Sequence, residues 1–270
     1  MGFQDYDYDV IIEGGQSNAQ GYGRGEVAKE YVPDEDILYL IQDFTVEEGI
    51  SNGIWKLILD YDNKPLHIDV ADERADDNGK IGDFALTFAE KYKNSGLLNP
   101  GRKILIIRAA VGGTGFMKKY WGPCDEVYLK MLEMIDYALS LNPKNRLVGF
   151  LWHQGEHDAF EGNQPDTFEL QLKAMIESVK ERYNVPSLPF VSGDFVSEWK
   201  NENIEICAPI VEKIKLVTAA MGGAFVETSD LLSNNEKTGN GDVIHFCRES
   251  LHNLGERYFE AYKSIIKDVL

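Results

Sequence analysis

The chain has 270 residues, 43% of them hydrophobic, which is enough to bury the core of one α/β domain; a single domain over 1–270 is expected. Its 45 acidic residues against 27 basic ones give a net charge of -18, a field that repels phosphate backbones and anionic lipids. No nucleic-acid or membrane partner is therefore expected, and a neutral substrate or a soluble polymer fits better. Cys124, Cys207 and Cys247 are odd in number and form no C-x-x-C pair, so neither a disulfide framework nor a zinc knuckle is expected. Residues 1–13 lack the positive start and long apolar stretch of a signal peptide, and no apolar run of membrane-spanning length follows. A soluble protein is expected, either cytoplasmic or secreted after loss of a leader.

In chain order, the first apolar run, 10–12, leads straight into Gly14-Gly15-Gln16-Ser17-Asn18-Ala19-Gln20-Gly21. The glycines allow a tight turn with Ser17 at its tip, where it would be presented as a nucleophile or serve merely as a turn or cap residue. This is not the G-x-S-x-G elbow, because Asn18 and Ala19 stand where its second glycine should be. The stretch 21–80 is less regular, with strand candidates at 38–41 and 54–59 and a polar run at 69–80, and reads as an excursion over the active face. The next strand, 104–107, runs into Ala109-Ala110-Val111-Gly112-Gly113-Thr114-Gly115, whose backbone N–H groups suit an anion hole. No Lys-Ser or Lys-Thr pair follows, which disfavours a nucleotide loop.

Val127, Met131, Met134, Ile135 and Ala138 then repeat at helical spacing, and the strand 147–152 follows. After it comes His153-Gln154-Gly155-Glu156-His157-Asp158, a match to the zinc-peptidase pattern H-x-x-E-H. A strand leads directly into it and Gly155 weakens any helix at its centre, so no metal site is expected. Phe168, Leu172, Met175, Ile176, Val179 and Tyr183 mark a second helix, and 189–191 and 224–226 two further strands. Gly239-Asn240-Gly241-Asp242-Val243-Ile244-His245-Phe246 precedes a last helix with Leu251, Leu254, Tyr258, Tyr262, Ile265 and Ile266 on one face. The three-residue spacing lets Asp242 reach the Nδ1 side of His245 and leave Nε2 free as a base. A capping Asp beside a surface His would look the same. His252 is a rival base without an acidic partner at equivalent spacing.

The four signals G-Q-S-N, G-G-T, W-H-Q-G-E-x-D and D-x-x-H-F, in that order from Gly15 to Phe246, resemble the sialate O-acetylesterase and acetylxylan esterase group of the SGNH hydrolases, carbohydrate esterase family 6. The resemblance implies a three-layer α/β/α sandwich on a mainly parallel, flavodoxin-like five-stranded sheet, and a serine esterase that removes acetyl groups from carbohydrates without a cofactor or metal. It makes Ser17 the nucleophile, His245 the general base and acid, and Asp242 its orienting carboxylate. The oxyanion hole would comprise the Ser17 N–H, an N–H of Gly112 or Gly113, and the Gln154 side-chain amide. Gln16, Asn18, Glu156 and, less directly, Asp158 would support these groups. Ala19 stands where relatives commonly carry Met, and His157 where they carry Ser or another small residue, so substrate preference is more open than chemistry. Trp121, Tyr22 and Tyr120 are candidates for stacking on sugar rings. The alternatives are a non-catalytic carbohydrate-binding relative, an esterase or thioesterase for lipid-type acyl groups, and a metallohydrolase.

Overall fold

Four successive Ile and Leu residues, 104–107, cannot lie in a strand with one wet face, because alternate side chains point to opposite sides of a sheet. Ile104 and Ile106 enter one core while Leu105 and Ile107 enter another. Ile11 joins the first of these and Val10 and Ile12 the second. Two helical layers therefore enclose the sheet.

The computed structural model describes residues 2–61 and 64–266. Its strands are β1 (Asp7–Gly15), β2 (Ile37–Ile41), β3 (Thr45–Ser51), β4 (Ile54–Asp60), β5 (His67–Val70), β6 (Arg74–Asp76), β7 (Gly79–Ile81), β8 (Arg102–Arg108), β9 (Arg146–His153), β10 (Phe190–Gly193) and β11 (Ala224–Val226). The helices are α1 (Ser17–Gln20), α2 (Phe84–Asn94), α3 (Glu126–Ser140), α4 (Glu156–Phe160), α5 (Pro165–Arg182), α6 (Ser197–Glu202), α7 (Ile204–Ala220), α8 (Asn234–Thr238) and α9 (Arg248–Ile266).

The central sheet has the order β11-β10-β9-β1-β8-β2-β5. All neighbours in it are parallel except β5, which runs antiparallel to β2. The five strands anticipated from the sequence form the contiguous stretch from β11 to β8 in the flavodoxin-like order, and β2 and β5 extend it to seven. That extension was not foreseen as part of the sheet, because 38–41 is short and 67–70 is polar on alternate positions. Helices α2 and α9 pack on one face through Phe84, Phe88, Leu251, Leu254 and Tyr258. On the other, α3, α5 and α7 contribute Met131, Ile135, Phe168, Leu172 and Ile214. Asp83 caps α2 by accepting from Ala85 N at 2.9 Å, and Pro165 opens α5 where its missing N–H costs nothing.

The chain leaves β1 to one side for β8 and returns to its other side for β9, so the crevice at the carboxyl ends of these strands is where an open parallel sheet collects ligands. Two hairpins lie outside the sheet, β3 with β4 and β6 with β7.

Candidate active site

The serine turn is shaped by where β1 meets the end of β9. At Gly15, φ is +134°, and a Cβ there would fall 2.1 Å from the His153 carbonyl oxygen, so no other residue fits. Gln16 N donates to that same oxygen at 3.0 Å, and the chain turns at once into α1 with Ser17 as its first residue, almost fully buried. The far end of α1 is fixed from beneath. Arg74 donates to the carbonyls of Gln20 and Gly21, and Arg108 to that of Gln20. Arg108 is itself paired with the buried Asp83 at 3.3 Å.

The buried Asn18 side chain joins this turn to the last motif. Its amide donates to the Ile244 carbonyl at 3.1 Å and its oxygen accepts from Phe246 N at 3.1 Å, so both neighbours of His245 are tied to the residue after Ser17. His245 Nδ1 lies 2.9 Å from each Asp242 carboxylate oxygen. Burial works to raise the Asp242 carboxyl, but hydrogen bonds from His245 and from Asn234, at 2.8 Å, outweigh it and hold the group below the ordinary carboxylate range. The Tyr22 ring stacks on His245, with centroids 5.0 Å apart. Asn234 also donates to the Tyr22 carbonyl at 3.0 Å and accepts from Arg24 N at 2.7 Å, so one amide holds both the carboxylate behind the imidazole and the segment bearing the ring in front of it. Among the described residues Ser17 makes no hydrogen bond to His245; in active sites such bonds often tighten only with substrate bound.

The glycine loop closes the other side. A Cβ on Gly112 would lie 3.5 Å from Ser17 Cβ and 3.3 Å from the Tyr22 hydroxyl. The Gly112 N–H already donates to Gln20 Oε1 at 2.7 Å, which leaves Gly113 as the less committed of the two sequence candidates. Asp158 knots this loop to the segment after β9: it accepts from Phe116 N (3.0 Å), Met117 N (2.9 Å), Gln154 Nε2 (2.6 Å) and Asn163 Nδ2 (2.8 Å). Gln154 thus has one amide hydrogen engaged and a second to give. Glu156 accepts from Asn18 Nδ2 at 2.9 Å, and burial raises its carboxyl above the usual value. Gln16 Oε1 accepts from His157 N at 3.1 Å, which seats His157 at the rim between the serine turn and the glycine loop.

The structure also places the other residues singled out in the sequence. The two histidines of H-x-x-E-H do not share a helix, since His153 ends β9 and His157 lies in α4 beyond Gly155, whose φ is +146°. His153 is buried with Nδ1 2.9 Å from the Tyr258 hydroxyl, and burial lowers its pKa to about 3. Trp121 and Tyr120 are fully buried and cannot stack on sugars; Trp121 Nε1 donates to Thr114 Oγ1 at 2.9 Å and so braces the glycine loop. His252 does have an acidic partner, Glu73 Oε1 at 2.7 Å, from 179 residues away in the chain. Asn234, Arg74 and Arg108 carried no motif; the capping box Ser233-x-x-Glu236 was the sole local signal near any of them.

A serine on a tight turn at the carboxyl end of a parallel sheet, beside a carboxylate-backed imidazole and a glycine loop, places the chain among the α/β/α hydrolases. The family described as "Carbohydrate esterase, sialic acid-specific acetylesterase" matches residues 7–264. The chain belongs to that family. It is 26% identical over 199 residues to a "Probable carbohydrate esterase" of Arabidopsis thaliana, covering 67% of this chain and 66% of that protein, just under two thirds of the relative's length. It is also 26% identical over 229 residues to a "Probable 9-O-acetyl-N-acetylneuraminic acid deacetylase" of Escherichia coli K12, covering 73% and 69% of the two chains. The crystal structure of NanS superposes with a TM-score of 0.71 at 19% identity, over 97% of this chain and 98% of the other, and so shares the fold. No helix among the described residues is long and apolar enough to cross a membrane.

Proposed function

We propose that the chain hydrolyses O-acetyl esters of carbohydrates through an acyl-enzyme on Ser17, with His245 as general base and acid and Asp242 as the carboxylate that orients it. The observation that carries this reading is the Asn18 side chain, which binds both neighbours of a carboxylate-backed His245 from the position next to Ser17. His245 takes the Ser17 proton as the oxygen attacks the ester carbonyl, then returns it to the departing sugar hydroxyl; water repeats the cycle and releases acetate. The negative oxygen of each tetrahedral stage is stabilised by the Ser17 and Gly113 N–H groups and the free hydrogen of the Gln154 amide, each worth roughly 2.7 to 4 kcal/mol in hydrolases of this kind. Asp242 bound to Nδ1 fixes the tautomer that leaves Nε2 basic. No cofactor or metal enters this scheme. The named activity of the E. coli relative makes acetylated sialic acids the first substrates to try.

Ser17→Ala should abolish acetate release from acetylated sialic acid and from an aryl acetate, a loss on the order of 10⁶ in kcat, with the folded state intact by circular dichroism. A fluorophosphonate should label Ser17 and no other serine. Activity surviving in Ser17→Ala, or labelling elsewhere with loss of activity, would overturn the assignment.

A further inference from the structure

The hairpin β3–β4 changes character along its length. On one face of β4, Leu59 is buried in the core, Leu57 is half-buried and Trp55 is 58% exposed. Opposite them on β3 stand Val46, Glu48 and Ile50, with Val46 and Ile50 exposed. The hairpin thus carries a largely apolar face, interrupted by the exposed Glu48, out from the core into solvent. It does so at the rim of the active site: a Cβ on Gly113 would lie 3.0 Å from Leu57 Cδ1, and one on the preceding Gly112 would lie 3.5 Å from Ser17 Cβ. The other side of the hairpin is held down. The Tyr120 hydroxyl accepts from Leu57 N at 2.6 Å and donates to Leu57 O at 3.0 Å. Lys56 on that side pairs with Glu126 at 2.9 Å, and Lys118 donates to Trp55 O at 2.9 Å.

Trp55 is two residues from Leu57 on the same face, so its backbone lies about 7 Å along the strand from the residue that meets the glycine loop. That offset is of the order of a sugar residue. The other three tryptophans, 121, 152 and 199, are at most 8% exposed, so Trp55 alone offers an indole face to solvent. An exposed indole on a braced strand beside an ester-cleaving site suits the apolar C–H face of a pyranose, with the neighbouring Ile50 flanking it.

The geometry points to Trp55 as the platform of a second sugar-binding position, which stacks on the residue glycosidically linked to the acetylated sugar and makes oligosaccharides better substrates than monosaccharides. This rests on the Ser17 reading of the site. The test compares the wild type with Trp55→Ala and Trp55→Phe on three probes: an O-acetylated oligosaccharide, the corresponding acetylated monosaccharide and an aryl acetate. Trp55→Ala should raise KM for the oligosaccharide about tenfold at unchanged kcat, leave the other two probes as they were, and be largely rescued by Trp55→Phe. Adding the deacetylated oligosaccharide to the wild type should shift tryptophan emission, and this should vanish in Trp55→Phe. An equal KM for all three probes in wild type and Trp55→Ala overturns the proposal. So does a change in molecular mass on Trp55→Ala without any change toward the oligosaccharide, since the hairpin would then be a surface for a second copy of the chain. Aryl acetate hydrolysis reports on Ser17 independently: if Ser17→Ala remains active the site assignment fails, whereas Trp55 is judged on the oligosaccharide alone.

Discussion

The two ends of β1 each carry a buried carboxylate, and they are treated in opposite ways. At the amino end, Asp9 is fully buried and completely engaged: Arg102 Nε and Arg146 Nε each donate to Oδ1 at 2.7 Å, and the Tyr92 hydroxyl donates to Oδ2 at 2.8 Å. Burial alone would raise its carboxyl, but these partners hold it below the usual range. At the carboxyl end, neither Glu13 oxygen accepts a hydrogen bond from any of the described residues. Burial and the nearby Asp83 push its carboxyl well up, against the pull of Arg108. Around it, Arg74 Nε, Arg108 Nε, His153 Nε2, Gln154 Oε1 and Glu156 Oε2 are likewise buried and unpaired among those residues. Native proteins leave few such atoms. At the amino end of β1 the Tyr8 hydroxyl is also buried without a partner among the described residues, but most of these atoms gather at the carboxyl ends of the central strands, the side of the sheet where ligands collect.

The sharpest way to break this comparison is to remove the charge at the closed end. Asp9→Asn should cost about 3 to 5 kcal/mol, because Arg102 and Arg146 would lose their counter-charge, and urea denaturation reads it directly. The kcat of the folded fraction should not change. Asp9 has a depressed folded pKa, so its contribution is present above the unfolded value of about 3.9 and is lost as pH falls through the folded one. The wild type and Asp9→Asn should therefore converge in stability as pH falls below that depressed value.

At the open end the expected effect is on rate. For Gln154→Ala we expect kcat to fall by roughly 10² to 10³ with KM little changed, the loss of one donor felt mainly in the transition state. If Gln154→Ala instead keeps its kcat and melts several degrees lower, the residue is only a brace for Asp158.

The smallest effect should come from Glu13→Gln, chemically the same change as Asp9→Asn on the same strand. The protonated Glu13 carboxyl donates to Asp83 and a glutamine amide keeps a donor there, so the change should alter stability by less than about 1 kcal/mol near pH 4. A raised folded pKa means that the wild type's stability from this group is full below the unfolded value of about 4.3 and declines as pH rises toward the folded one. Glu13→Gln should thus gain on the wild type in thermal melts as pH rises above about 4.3, the reverse of the Asp9 trend. Parallel trends for the two variants would show that the ends of β1 do not differ as described.

The sequence by itself determined the layered fold and the places where chemistry gathers. Apolar runs of three to six residues alternating with helical stripes require a buried parallel sheet, and three of the four short polar motifs follow closely on a strand, so local pattern and topology coincide at Ser17, Gly112 and Gln154, while His245 stands beyond β11 and α8, just before the last helix. The pairing of Asp242 with His245 was also legible, because three residues on a turn is a local distance. Contacts between residues far apart in the chain were decided only in three dimensions. Asn18 reaches Ile244 across 226 positions, His252 finds Glu73 across 179, and Asn234 links Asp242 to Tyr22 and Arg24. The polar strand 67–70 pairs with the edge of β2, Trp121 is inside with its indole N–H bound to Thr114 of the glycine loop, and Tyr120 is inside with its hydroxyl bound to Leu57 of the β3–β4 hairpin. A side chain's partner depends on where the sheet order carries distant segments, and no residue's own neighbours in sequence encode that.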